Sequence, residues 1–232
     1  MTSLPTQEQN EVLLGEMLLF GLLSKLIYQY PDREQREWFQ SLIDGETFAE
    51  IPFAAEQEDV RKGQALLETW SKGDLDDETY EDMQVDHMRL FVGTNKVIAA
   101  PWESVFFNEG RQTFQEQTLA VRGWYRRYGL EPEKLYREPD DHIGLEMSFV
   151  AHLTSEALQA LEDDDPEKFE ELIQARGQFL SEHLLKWGFD WCELVIENAS
   201  TDLYLGAAYL IRGALASMAE SYELHGAAGA AK

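Results

Sequence analysis

Apolar residues recur at three- and four-residue steps along most of this 232-residue chain. The clearest run follows Asp165 and Pro166, which suit the cap and the first turn of a helix. Its members are Phe169, Leu172, Ile173, Phe179, Leu180, His183, Leu184 and Trp187, and Gly188 follows as the predicted end. Such spacing places apolar side chains on one helix face. Since no stretch alternates with period two over β-branched residues, an all-α fold is predicted.

Glycine and proline divide this pattern into about eight to ten helices. The predicted helices cover approximately residues 6–30, 32–44, 57–71, 76–92, 113–128, 141–161, 165–187, 189–198 and 202–225, with a short helical turn within 102–107. The predicted architecture is a single globular helical bundle that can divide into two subdomains. The two subdomains are an N-terminal half over 1–130 and a C-terminal half over 143–226. A hinge segment over 131–142 joins them, and a flexible tail over 227–232 follows.

Acidic side chains outnumber basic ones 44 to 19, which gives a formal net charge of −25. This charge argues against a nucleic-acid partner or an anionic membrane surface. It favours a cationic partner. Because the acidic residues are spread among abundant Leu, Phe, Trp and Tyr in amphipathic segments, the chain is predicted to be a folded acidic protein.

The single cysteine, Cys192, excludes an intramolecular disulfide and is most simply a buried, inert thiol. The apolar run from Val12 to Ile27 is interrupted by Glu16 and Lys25, and no basic region precedes it. We therefore expect a cytoplasmic protein without stable membrane insertion.

The stretch from Glu138 to Glu146 combines acidic groups, a histidine and a helix start. Either Asp140 or Asp141 can cap the free N–H groups of that helix, a role that explains much of the segment. Asp141 and His142 form a poor acid–base pair, because neighbouring helical residues point about 100° apart.

Enzymatic motifs are weak in this sequence. The Gly-Lys pair of a phosphate-binding loop does not occur, and no strand precedes the glycines. His142 and Glu146 lie one helical turn apart, but two ligands do not make a metal site. We expect no catalytic residue, no metal and no cofactor.

A dense group of apolar and aromatic residues surrounds the irregular segment between the helices at 76–92 and 113–128. Its members are Leu90, Phe91, Pro101, Trp102, Val105, Phe106 and Phe107. Irregular segments form grooves more readily than regular helices do, so the group can line a binding groove. It can equally be core, and for Phe91 and Trp102 both interpretations stay open.

Three motifs in order resemble the TorD/DmsD family of cytoplasmic redox-enzyme maturation chaperones. They are Leu90-Phe-Val-Gly93, Pro101-Trp-Glu-Ser-Val105 and Glu138-Pro-Asp-Asp-His142 with Gly144. His183-Leu-Leu-Lys-Trp187 resembles a later helix end of the family, so the resemblance covers nearly the whole chain. Thr94 departs from the pattern, since many relatives have proline after that glycine.

The resemblance implies a chaperone that binds the twin-arginine signal peptide and the apo form of a molybdenum-cofactor oxidoreductase. It implies no catalysis. The residues predicted to bind the peptide are Leu90, Phe91, Pro101, Trp102, Glu103, Glu138, Asp140, Asp141 and His142. Carboxylates pair with guanidinium groups, and an apolar groove suits the run that follows them. We expect Asp141, with Glu138 or Asp140, to receive the arginines while Trp102 and Phe91 line the groove.

Two alternatives remain. One is an assembly factor for a nitrate-reductase-like complex, in the related NarJ branch, which binds a terminal peptide without an arginine pair. The other, less favoured, is a metal or acid–base hydrolase built on Asp141, His142 and Glu146. A homodimer is also possible, with helices exchanged through the segment between about Gly129 and Asp141.

Overall fold

The computed structural model of the protein describes residues 6–43, 57–73, 77–93, 97–132 and 137–230. In these ranges the chain forms ten α-helices, one π-helical turn and no β-strand, so the predicted all-α fold is confirmed. The helices are α1 (Gln7–Tyr28), α2 (Arg33–Ile43), α3 (Glu58–Ser71), α4 (Asp77–His87), α5 (Glu103–Phe106), α6 (Glu116–Arg127), α7 (Ile143–Glu162), α8 (Pro166–Glu182), α9 (Leu184–Asn198) and α10 (Asp202–Ala230), and the π-helical turn is Met88–Val92.

The chain packs as two compact units, the first of which comprises Met1–Tyr28 and Trp102–Trp187. Helix α7 is its centre and packs against both α1 and α8. The rings of Phe149 and Phe179 meet edge to face with centroids 4.7 Å apart. At Gly144 a Cβ atom would lie 2.9 Å from the carbonyl oxygen of Ser24, so α1 and α7 approach closely because this residue has no side chain.

The second unit comprises Gln29–Pro101 and Gly188–Lys232. Its largest helix pair is α3 against α10. A Cβ atom at Gly63 would lie 2.6 Å from the carbonyl oxygen of Gly206, so glycine on both helices permits this approach. Val60, Leu67 and Leu210 fill the interface and are fully buried.

Each unit is built from two segments that are distant in sequence. The prediction above divides the chain into consecutive halves, 1–130 and 143–226, joined at 131–142. The two units of the structure are not consecutive, because segments of one alternate along the chain with segments of the other. The described part of the predicted hinge segment lies within the first unit.

Several predicted helix boundaries are confirmed. Asp32 Oδ1 accepts a hydrogen bond of 2.7 Å from the backbone N–H of Gln35 and so caps α2. Asp165 Oδ1 accepts one of 3.0 Å from Lys168 at the start of α8. Gly93 follows the π-helical turn with a φ of 62°, a conformation that favours glycine.

Three other boundaries were predicted wrongly. Helix α8 ends at Glu182 and α9 begins at Leu184, so the break is at His183 and Gly188 lies inside a helix. Helix α6 begins at Glu116 and not near residue 113. Helix α10 continues to Ala230, beyond the predicted end near residue 225, because alanine favours helix enough to offset the scattered glycines.

Candidate functional site

In the first unit, the backbone at Trp102 pairs antiparallel with that at His142 in an isolated β-bridge. The N–H of Glu103 donates to the carbonyl oxygen of Asp141 at 2.9 Å. The Oδ2 atom of Asp141 accepts a hydrogen bond of 2.7 Å from the N–H of Ser104. Two of the motifs singled out in the sequence, 101–105 and 138–142, are therefore joined directly.

Asp141 is fully buried and has no solvent contact. While Oδ2 accepts from Ser104, the Oδ1 atom of Asp141 accepts a hydrogen bond of 2.7 Å from the hydroxyl of Thr118 on α6. The capping role predicted for an aspartate in this stretch is real, but Asp141 caps α5 and not α7. The prediction that Asp140 or Asp141 caps α7 is wrong, because His142 occupies that cap position and accepts the hydrogen bond there.

Asp140 is also fully buried and forms a bidentate ion pair with Arg122. The Nε and Nη2 atoms of Arg122 donate to its two carboxylate oxygens at 2.8 and 2.9 Å. The hydroxyl of Tyr125 donates to the backbone carbonyl of Asp140 at 3.1 Å. Both carboxylate oxygens are thus occupied within the fold, in the geometry that makes arginine–carboxylate pairs strong.

His142 caps α7. Its Nδ1 atom accepts a hydrogen bond of 3.0 Å from the N–H of Gly144, so this ring nitrogen carries no proton. The ring meets Trp102 and Tyr28 edge to face, with centroids 6.1 and 5.0 Å apart. The Nε2 atom lies 4.0 Å from an oxygen of Glu138, whose side chain is 20% exposed.

A buried acidic cluster in the same unit includes Glu103 and Glu146. Glu103 contacts His183, with Oε2 2.8 Å from Nδ1. The indole N–H of Trp187 donates to Oε2 of Glu146 at 3.3 Å. Burial, and then the charges of Glu103 and Asp141, raise the pKa of Glu146 well above its usual range. Burial in this cluster therefore favours the neutral carboxylic acid form of Glu146 over the carboxylate.

Sequence reasoning did not assign Arg122 or Thr118 to the site. No local pattern marks them, because each lies on α6 and meets the 138–142 segment only in the folded chain. The sequence did single out His183 and Trp187, because both belong to the helix-end motif His183-Leu-Leu-Lys-Trp187.

The predicted residues Leu90, Phe91 and Pro101 belong to the second unit and are buried. Phe91 stacks on Trp191 with centroids 5.6 Å apart and meets Tyr204 edge to face. For Phe91 the structure therefore shows core packing. Trp102 is only half-buried, and its indole N–H has no hydrogen-bond partner among the described residues.

The chemistry available for catalysis is limited in the part of the chain that the structure describes. There, no three His, Cys, Asp or Glu side chains are placed to hold a metal ion. In the alternative hydrolase site, Asp141 and His142 are held by the bonds above and Glu146 is buried. Burial raises the pKa of Cys192, so its thiol is not activated. No helix within the described ranges is long and apolar enough to cross a membrane.

Comparison with known proteins supports the family resemblance. Residues 54–193 match the family model described as nitrate reductase delta subunit. The chaperone protein TorD of Aliivibrio fischeri is 24% identical over 85% of this chain and 86% of its own length. The Tat proofreading chaperone DmsD of Salmonella typhimurium is 28% identical over 84% of both chains. A crystal structure assigned to redox enzyme maturation, from Archaeoglobus fulgidus, has a TM-score of 0.51 at 21% identity and covers 91% of this chain and 95% of its own.

This chain, with its helical fold and its two joined motifs, belongs to the nitrate reductase delta subunit family. Its resemblance to the TorD/DmsD family of redox-enzyme maturation chaperones is confirmed. The similarity to the Archaeoglobus structure supports the fold.

Proposed function

We propose that this protein binds the twin-arginine signal peptide and the apo form of a molybdenum-cofactor oxidoreductase in the cytoplasm, and holds this client until its cofactor is inserted before export. The observation that carries the proposal is the match over 84% of both chains to a relative named Tat proofreading chaperone. In this role the protein is a binding partner and not an enzyme.

The partly exposed surface formed by Glu138 and Trp102, beside the buried ring of His142, is suited to an arginine side chain. Glu138 is the predicted carboxylate that solvent reaches, whereas Asp140 and Asp141 are fully buried. A guanidinium group pairs with a carboxylate and also stacks on an indole ring. We assign the arginine pair to Glu138 and Trp102, and we assign Asp140 and Asp141 to holding this surface in place.

Calorimetry with a twin-arginine peptide and its twin-lysine variant tests the proposal. Wild-type protein should bind the arginine peptide more tightly, because lysine cannot form the bidentate pair. Glu138→Gln should weaken arginine-peptide binding by about 3- to 10-fold, which corresponds to one charge-assisted hydrogen bond at a partly exposed site.

The matched control is Glu156→Gln, which removes the same charge from an exposed position on α7 of the same unit. It should leave the affinity unchanged. Equal affinity for both peptides, insensitive to salt, would contradict the proposal.

A second function is favoured by the description of the matching family model, nitrate reductase delta subunit. In it, the protein is an assembly factor that binds a terminal peptide of its partner lacking an arginine pair. The same calorimetry distinguishes the two: an assembly factor of this kind would bind the partner's terminal peptide and show no preference for arginine over lysine.

A further inference from the structure

Helix α1 carries apolar side chains on two faces. The inward face is buried in the core of the first unit and comprises Leu19, Phe20, Leu23, Leu26 and Ile27. On the outward face, Leu14 and Leu18 are 45% and 50% exposed, and Leu22 is partly exposed. A helix with one buried face usually has polar residues on the other, and a cluster of exposed apolar side chains marks an interaction site. The outward face of α1 is therefore a candidate contact surface.

A charged residue lies at each end of this outward face. Glu11 and Lys25 are both exposed, and at about 100° per residue they share an arc of about 80° with the three leucines. Leu14 and Leu22 each lie four residues from Leu18, and Glu11 and Lys25 each lie seven residues from it. The spacing of the face is thus symmetric about Leu18, with opposite charges at its two ends.

Glycine flanks the centre of the face on both sides. Gly15 and Gly21 each lie three residues from Leu18, at the two edges of the arc. A Cβ atom at Gly21 would have nothing within 4 Å, so there is open space beside the leucines. Residues without a side chain allow another backbone to approach closely. The centre of the face is therefore suited to packing against a second helix.

The symmetry of the face indicates that this second helix is α1 of another copy of the chain. In a two-fold interface, if residue i contacts residue j, then j contacts i. When two α1 helices pair antiparallel about Leu18, Leu14 meets Leu22 of the second copy and Glu11 meets its Lys25. A parallel pair would place like charges opposite each other, which is unfavourable. A different protein would not require a symmetric arrangement.

We propose that the outward face of α1 pairs antiparallel with the same face of a second copy, with Leu18 on the two-fold axis. No helix is exchanged in this dimer, and the inference is independent of the proposed function. One helix pair buries less than the roughly 1,200 Å² of a standard interface, so the association is weak. The charge of −25 on each copy opposes it, but at about 0.15 M salt charges more than about 8 Å apart are largely screened.

Sedimentation equilibrium of the full-length protein in about 0.15 M salt tests the dimer. Wild type should change reversibly from monomer to dimer as its concentration rises from about 5 to 500 µM. Leu14→Gln/Leu18→Gln should weaken dimerisation at least about tenfold, because the apolar area of both leucines is no longer buried. Leu119→Gln is the matched control and should dimerise like wild type, since Leu119 is 62% exposed on α6 of the same unit. Both variants should melt within about 2 °C of wild type.

Charge reversal tests the pairing of the two ends. Glu11→Lys and Lys25→Glu each place like charges together and should weaken dimerisation by about 3- to 10-fold. An equimolar mixture of the two variants should recover it, because opposite charges then meet at both ends. Glu156→Lys and Lys168→Glu make the same changes of net charge at exposed positions on α7 and α8, and should dimerise like wild type. A mixture that associates no better than the separate variants would contradict the antiparallel pairing.

Cysteine cross-linking locates the two-fold axis. A disulfide requires Cβ atoms about 3.5–4.5 Å apart, which identical residues of two copies reach only near the axis. Under mild oxidation, Leu18→Cys should cross-link with itself, whereas Leu14→Cys should cross-link only when it is mixed with Leu22→Cys. The native Cys192 is fully buried and gives no background. A dimer in which Leu18→Cys does not cross-link is a different dimer and overturns the proposal.

Wild type that stays monomeric at about 500 µM also overturns it. If that monomer binds a twin-arginine peptide and Leu14→Gln/Leu18→Gln weakens this binding, the face belongs to the client and not to a second copy. The proposed function is measured by peptide binding alone, so it stands or fails separately from the dimer.

Discussion

The side chains of the 138–142 segment mostly face inward. The sequence predicts that Asp141, with Glu138 or Asp140, receives the arginines, yet both aspartates are fully buried and hydrogen-bonded to groups on other elements. A buried carboxylate requires such partners, because an unpaired charge is strongly disfavoured away from water. The residues therefore matter first for the geometry of the surface, and Glu138 remains the one that reaches solvent.

Glu146 provides a residue-scale prediction. In the unfolded chain its carboxyl group has a pKa near 4.5, whereas burial raises the pKa in the folded protein. As the pH rises above 4.5, the unfolded state loses this proton first, so each pH unit up to the folded pKa favours unfolding by about 1.4 kcal/mol. Glu146→Gln cannot ionise and keeps an acceptor for Trp187. We expect it to melt at a higher temperature than wild type at pH 8 and at a similar temperature near pH 4.5.

Thermal melting followed by circular dichroism at both pH values measures this difference. Glu171→Gln, at a position whose side chain is 62% exposed, serves as the control and should melt like wild type at each pH. Identical pH dependence for wild type and Glu146→Gln would show that the buried carboxyl is not neutral in the folded state.

Short elements in this protein depend on their tertiary partners. Helix α5 has four residues, too few for a helix to form alone, and the carboxylate of Asp141 caps it. The break at His183 between α8 and α9 coincides with the contact between its ring and Glu103. The sequence predicted a stop at Gly188 because glycine disfavours helix, but the preference is only about 1 kcal/mol and packing overrides it.

The α3–α10 pair provides an element-scale prediction. Gly63→Ala should destabilise the protein by about 1–3 kcal/mol or more, because the new methyl group would meet the backbone of Gly206 at 2.6 Å. Gly123→Ala on α6 is the control, since a Cβ atom there would have nothing within 4 Å. It should stabilise the protein by about 0.5–1 kcal/mol, the helix preference for alanine.

Urea unfolding of the two variants beside wild type gives both values. If Gly63→Ala proves as stable as Gly123→Ala, then α3 and α10 do not pack through these glycines.

At the scale of the whole molecule, the charge of −25 gives the protein a strong negative field. Such a field attracts cationic partners over distances comparable to the screening length of the solution. The association rate constant of a twin-arginine peptide should therefore exceed that of a neutral peptide, because the field attracts the peptide during its approach to the site.

Stopped-flow fluorescence tests this whole-molecule prediction with a labelled twin-arginine peptide. The association rate constant should fall several-fold as ionic strength rises from about 0.01 to 0.3 M, while the dissociation rate constant changes less. A peptide with glutamine in place of both arginines is the control and should show a weaker dependence. An association rate that does not respond to salt would exclude electrostatic attraction.

The sequence by itself determined the all-α class, most helices, the caps at Asp32 and Asp165, and the family resemblance. Helical periodicity, capping residues and short motifs are local signals. Only the tertiary structure decided which residues share a unit, since each unit combines segments from distant parts of the chain. It also decided that Asp141 caps α5, that Arg122 pairs with Asp140 and that Phe91 is core. Partner choice for a buried polar or aromatic group depends on which distant helix packs beside it, and spacing along the chain does not contain that information.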